Sequence, residues 1–205
     1  VIALAAIDDG WYSATIDFAQ RTPWLQEPMV LYSDYGVVLF GALMVLAWRL
    51  ANKGAPVTWK TVLWPPATVL VAYAVSNLVK IIVREPRPCL ALHGVVTVAP
   101  CDFATDYSFP SNHEVIVAAA AVVIMILHRG LGVLAVLLAV VMGYSRVYVG
   151  AHYPHDVLAG FLLGAVVAGV LAVVVAKWPD GELLRSRPAD QGSERAERGV
   201  PRIGR

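Results

Sequence analysis

The stretch LGVLAVLLAVVMGYSRVYVGAHYPHDVLAGFLLGAVVAGVLAVVVAK, Leu131–Lys177, reads as two apolar runs joined by a polar hinge. The first runs from Leu131 to about Tyr148 and carries Arg146 near its end; the second runs from Val157 to Ala176. Each is close to the roughly 20 residues that a helix needs to cross a bilayer core. The hinge holds Ser145, Arg146, His152, His155 and Asp156, groups that hydrocarbon excludes. The pattern predicts a membrane helical hairpin with its polar groups gathered at the tip.

Three further apolar runs lie upstream, near Met29 to Leu50, Thr61 to Val83 and Glu114 to Leu127, the last of them short. Of the 205 residues, 58% are hydrophobic and only 15% charged, with a mean hydropathy of +0.64. A soluble chain carries about 25% charged residues. Five such runs leave too little polar surface to cover them in water. The expected fold is an all-α polytopic bundle of about five transmembrane helices in a lipid bilayer, residues 29–178. An N-terminal interfacial segment, residues 1–28, precedes it, and a disordered cytoplasmic tail, residues 179–205, follows. Trp11, Tyr12, Phe18 and Trp24 suit the membrane interface, and Pro23 and Pro28 are expected to break the segment before the first span. It reads as a surface helix with no part in chemistry. Val1–Ile7 is apolar but lacks a basic leader, so no signal peptide is read there. Gly160, Gly164, Ala165 and Ala168 are expected to permit close helix packing.

The loop after the first span carries Arg49, Lys53 and Lys60, and the tail carries seven Lys or Arg from Lys177 to Arg205. Both belong in the cytoplasm by the positive-inside rule, and five spans put them on one side. The outer ends of the spans then bring three polar clusters to the opposite face. They are Lys80 with Arg87-Pro88, Phe109-Pro110-Ser111-Asn112-His113, and Ser145-Arg146 with His152, His155 and Asp156. A net charge of +1 gives no general case for nucleic acid as a partner.

Lys80, Arg87 and Arg146 at the hydrocarbon boundary call for a multiply charged anion, and phosphate matches the arginine fork. Ser111 and backbone N–H groups at the start of the third span add donors. His113 and His152 are of the type that attacks phosphorus or moves protons near neutral pH. Asp156, four residues after His152, is placed to fix its tautomer if a helix begins near Tyr153 or Pro154. Arg84 and Arg129 read as snorkelling anchors. His93, His128 and His155 read as structural. The surrounding cations oppose a divalent metal, and no metal or other cofactor is expected.

The pattern Lys80-x6-Arg87-Pro88, Pro110-Ser111-x-His113 and Ser145-Arg146-x5-His152-x3-Asp156 resembles the three-part signature of the type 2 phosphatidic acid phosphatase superfamily. The resemblance implies a metal-independent membrane lipid phosphatase. In it His152 would attack phosphorus, Asp156 would orient His152, and His113 would protonate the leaving oxygen and then activate water. Lys80, Arg87, Ser111, Arg146 and the backbone near Asn112 would bind the phosphate. Asn112 stands where the family usually has glycine. A polar residue there is shared with members similar to bacterial undecaprenyl diphosphate phosphatases. The expected substrate is therefore a polyprenyl (undecaprenyl or decaprenyl) diphosphate at the outer face of the cell membrane. Phosphatidic acid, phosphatidylglycerol phosphate and a prenyl-phosphoryl sugar phosphate are alternatives. Phosphotransfer to another acceptor, the vanadium-dependent haloperoxidases that share the motifs, and a non-enzymatic anion transporter complete the readings. Cys89 and Cys101 fall in the outer loop, where a disulfide is expected.

Overall fold

The computed structural model describes residues 8–54, 57–92, 94–101 and 105–177. Val1–Ile7, His93 and the tail 179–205 lie outside the described residues. Among the described residues the chain is all helical, in the order α1 (Asp9–Arg21), α2 (Pro23–Ala51), α3 (Trp59–Val83), the single turn α4 (Pro88–Ala91), α5 (Asn112–Leu127), α6 (Arg129–Tyr148) and α7 (Pro154–Lys177). By length and composition α2, α3, α6 and α7 can each cross a membrane. The protein is an all-α polytopic membrane helix bundle.

The apolar helix α5 has 16 residues, about 24 Å at 1.5 Å per residue, and is shorter than the other four. It can be short because it is the central helix. It packs against α2, α3, α6 and α7, so protein rather than lipid surrounds most of it. Ala118–Ala121 are all buried, and side chains this small let neighbouring helices approach from several sides. One core joins Phe40 and Leu43 of α2, Val117 and Ile124 of α5, and Ala139 and Met142 of α6. A second joins Ala72, Val115, Ala119 and Ala168. The outward faces are apolar as well, with Val38, Leu70, Leu137 and Val166 each at least 60% exposed. Apolar surface on this scale, on helices long enough to cross a bilayer, faces lipid rather than water.

The α5–α7 seam rests on glycine. A Cβ on Gly160 would stand 2.7 Å from the Ser111 carbonyl oxygen, and one on Gly164 would stand 2.3 Å from that of Val115. These are backbone atoms of a central helix and cannot yield. Gly164→Ala should therefore destabilise the bundle, by about 1–3 kcal/mol for overpacking. Gly169, on the same helix, would gain a Cβ with nothing within 4 Å among the described residues, so Gly169→Ala should hold or raise stability. Thermal unfolding of both variants in detergent checks the pair: Gly164→Ala alone should lose stability.

Two expectations about the N-terminal part need correction. Pro23 and Pro28 do not break the chain before the first span: α2 begins at Pro23 and continues through Pro28. Pro23 occupies the first helical position, where a missing N–H costs nothing. Pro28 forfeits one intrahelical bond near the helix start, and the long apolar run beyond it keeps the helix going. Nor is α1 a bystander. Trp11 is exposed, but Tyr12 and Ile16 pack on Val147 and Tyr153, and Ala19 packs on Tyr148 and Val149. The Tyr12 hydroxyl donates to the Gly150 carbonyl at 3.2 Å. Helix α1 thus covers the hinge between α6 and α7.

Candidate active site

Four helix ends meet beneath α1. Helix α3 delivers Lys80 in its last turn and stops at Arg84, whose left-handed conformation (φ 53°) and N–H bond to the Lys80 carbonyl close the helix. Pro86 and Pro88 bracket Arg87, which keeps that segment extended before α4. Helix α6 carries Arg146 in its last turn, and the Arg146 carbonyl accepts from the N–H groups of Ala151 and His152 at 3.0 and 3.3 Å. Gly150 turns the chain there at φ +88°, and a Cβ on it would also strike Thr97 at 2.4 Å.

Backbone bonds stitch the three motifs together. Ser108 N–H donates to the Glu85 carbonyl at 2.7 Å and Ser111 N–H to the Asp156 carbonyl at 3.1 Å. Arg87 Nη1 donates to the Ala151 carbonyl at 3.1 Å. Lys80 Nζ donates to the carbonyls of Tyr107 and Ser108. The eight residues expected at the site therefore come to one end of the bundle.

His152 and Asp156 are both buried. Asp156 lies in the first turn of α7, and its Oδ2 accepts from the Tyr153 N–H at 2.8 Å, the reach-back of a capping-box acid. The same oxygen accepts the hydroxyl proton of Ser108 and stands 3.4 Å from His152 Nδ1. Ser108 Oγ is 3.3 Å from that Nδ1. A hydroxyl has one proton, and Ser108 gives it to Asp156. Towards His152 its oxygen can only accept, so Nδ1 carries hydrogen and Nε2 holds the lone pair. Burial pushes the His152 pKa down from 6.5 to about 3, with Arg146 and Arg87 adding to the fall and the Asp156 hydrogen bond opposing it. Burial thus favours the neutral ring.

A cavity of about 370 Å³ opens beside this group, lined among others by Arg87, His113, Arg146, Asp34 and Asp106. The cations have internal partners. Arg87 Nη2 meets Asp106 at 2.7 Å, Lys80 lies 3.7 Å from the same carboxylate, and Arg146 bonds Ser33 at 2.6 Å with Asp34 at 4.0 Å. The side chains of Asp106 and Asp34 are 47% and 56% exposed, against 5–7% for their cationic partners. Ser111 Oγ is buried and makes no hydrogen bond among the described residues.

Asn112 turns away from this group. Its Oδ1 accepts from Ser76 at 2.5 Å and its Nδ2 donates to Asn77 Oδ1 at 3.1 Å. The side chain that replaces glycine ties α5 to α3, and only its backbone N–H stays eligible for phosphate. The sulfurs of Cys89 and Cys101 stand at bonding distance, with Cα atoms 5.9 Å apart.

Sequence reasoning missed Ser108, Asp106, Asp34, Glu85 and Asp8. A hydroxyl just ahead of Phe109-Pro110-Ser111 could have flagged Ser108; for the four acids there was no local signal. Glu114, which bounds an apolar run in the sequence, lies in the first turn of α5. It is buried against Gly143, where a Cβ would come within 3.0 Å of its Oε2.

Comparison with known proteins agrees with this geometry. The family model of the PAP2 superfamily matches residues 61–180. The undecaprenyl-diphosphatase BcrC of Bacillus subtilis is 33% identical over 147 residues, 72% of each chain. The decaprenylphosphoryl-5-phosphoribose phosphatase of Mycobacterium tuberculosis is 33% identical over 157 residues, 75% of this chain and 85% of its own. Among solved structures, a transmembrane PAP2-type phosphatidylglycerolphosphate phosphatase from Bacillus subtilis superposes with a TM-score of 0.63 at 25% identity, covering 86% of this chain and 88% of that one. The chain belongs to the PAP2 superfamily and is a membrane lipid phosphatase.

Proposed function

We propose that the enzyme hydrolyses a polyprenyl diphosphate, through a phosphohistidine on His152, at the extracytoplasmic face of the cell membrane. The observation that carries the mechanism is the Ser108–Asp156–His152 chain, which fixes Nδ1–H and leaves Nε2 as nucleophile. Nε2 forms the bond to phosphorus while the bond to the leaving oxygen breaks, and His113, held as imidazolium by the negative charge of the bound phosphate, gives that oxygen a proton. Water then loses a proton to His113 and attacks phosphorus, the P–N bond breaks, and phosphate and free His152 are released. Lys80, Arg87, Arg146, the Ser111 hydroxyl and the Asn112 N–H bind the phosphate, which displaces the exposed carboxylates of Asp106 and Asp34. The outward orientation is supported by the positive-inside rule, since Arg49, Lys53 and Lys60 lie at or near the α2–α3 connection, at the opposite end of these helices from the site. The polyprenyl tail is supported by the names of the two relatives above, both of which act on polyprenyl-linked phosphates. A phosphatidylglycerol phosphate substrate is the second reading, favoured by the solved structure.

Phosphate release from undecaprenyl diphosphate and phosphatidylglycerol phosphate, side by side in detergent with EDTA, tests this. The expected result is turnover that EDTA leaves unchanged and vanadate inhibits, with the polyprenyl substrate preferred at least about tenfold in kcat/KM, a difference of about 1.4 kcal/mol. Strong EDTA inhibition would overturn the metal-independent mechanism, and the reverse preference would overturn the substrate.

A further inference from the structure

His155 was read from the sequence as a structural residue, yet it is tied to every part of the site. Its Nδ1 lies 2.9 Å from Asp8 Oδ1, and its backbone N–H donates to Asp8 Oδ2 at 2.6 Å. Its Nε2 lies 3.2 Å from both oxygens of Glu85. The ring stacks on Phe109, with centroids 6.0 Å apart, and on Tyr153 at 5.4 Å. The side chains of His155, Asp8 and Glu85 are only 14%, 10% and 6% exposed.

Both ring nitrogens face carboxylate oxygens. A neutral imidazole would turn its lone pair towards one of them, whereas an imidazolium donates to both. Glu85, His155 and Asp156 also bring ligand atoms within 4.8 Å of one another, but hydrogen bonding to both nitrogens already accounts for the cluster. The two oxygens of Asp156 have different surroundings. Oδ2 takes Ser108, Tyr153 and His152, as described above. Oδ1 is buried without a hydrogen bond among the described residues and stands 3.4 Å from His155 Nε2. The charged ring thus holds the far side of the carboxylate whose near side sets the His152 tautomer.

We propose that His155 is a positioning residue for the reaction: clamped by Asp8 and Glu85, it fixes Asp156 and through it His152. Asp8, just ahead of α1, then takes part in positioning the nucleophile, because it supplies one jaw of the clamp. The rate consequence rests on the phosphohistidine reading; the tautomer consequence does not.

The test uses the full chain in detergent with two readouts, rapid-quench measurement of phosphoenzyme formation and ¹⁵N NMR of the His152 ring. In His155→Gln the rate constant of phosphoenzyme formation is expected to fall about 100-fold, the scale of an ångström-sized misplacement. The fraction of chains that become phosphorylated should stay near that of the parent protein. The His152 ring should change from one tautomer to a mixture. Asp8→Asn, a milder change usable if His155→Gln does not fold, should give about a tenfold fall and a partial tautomer change. A smaller phosphorylated fraction with an unchanged rate constant and a single tautomer would show a purely structural role and overturn the inference. So would a wild-type rate with a single tautomer. A parent protein that forms no phosphoenzyme would overturn the mechanism proposed above, while the tautomer comparison would still decide the role of His155.

Discussion

His152→Ala is expected to abolish phosphate release, by at least about 10⁴-fold in kcat, because removing the nucleophile of a covalent mechanism leaves only the binding contribution of the site. The truncation has a second effect. His152 is buried, and its loss takes from Ser108 and Asp156 a partner that water cannot replace. A buried polar group left unsatisfied costs about 1–3 kcal/mol, so the unfolding temperature should fall as well. His152→Gln separates the two effects. Its amide can still donate towards Asp156, so stability should recover in part, while an amide nitrogen has no nucleophilic lone pair and activity should stay lost. Phosphate release and thermal unfolding on the same preparations decide the matter. Activity in His152→Gln within tenfold of the parent protein would exclude His152 as the attacking group.

That stability effect marks a limit of reading the sequence. From span counting alone, His152 is a polar residue at a helix end and should sit near water. In the structure α1 lies across the hinge, with Tyr12 packed against Tyr153 at a ring separation of 5.4 Å, and the histidine is sealed beneath. Span positions and the meeting of three motifs were legible because each depends on local pattern: apolar run length, a proline after a cation, and helical spacing between His152 and Asp156. The role of α1 was not legible. Asp8 reaches His155 across 147 positions and Glu85 reaches it across 70. Before such contacts form, an aspartate beside a helix start reads as an ordinary solvated residue. Asn112 shows the same limit from the other side. Its place in the motif suggested a backbone donor, and nothing local marked Ser76 and Asn77 on α3 as the partners that take up its side chain. Ser108 lies between these extremes, close to the motif in sequence but given meaning only by Asp156, 48 positions away.

Asp156→Asn should lower kcat by about 10³–10⁴-fold, on the scale seen when the orienting carboxylate of a histidine triad is neutralised. Asp156 Oδ2 accepts from Ser108, from the Tyr153 N–H and towards His152 Nδ1. An asparagine can keep its oxygen there only by turning its NH₂ towards His155 Nε2, which stands 3.4 Å from Oδ1 and is itself a donor. If the amide flips instead, NH₂ faces Ser108 and the Tyr153 N–H. Ser108 can then turn its proton towards His152 and stabilise the wrong tautomer. Either orientation removes the negative charge that would stabilise His152 once phosphorus is attached. The fall should appear in the rate constant for phosphoenzyme formation, read in a single turnover. Ser108→Ala alone should cost less, about tenfold, because Asp156 can still face Nδ1 directly. If Ser108 acts through Asp156, the double variant should be little worse than Asp156→Asn alone, since residues that work as one unit are strongly non-additive. Additive losses would mean that Ser108 acts on His152 independently of the carboxylate, and the tautomer would then be set by the hydroxyl.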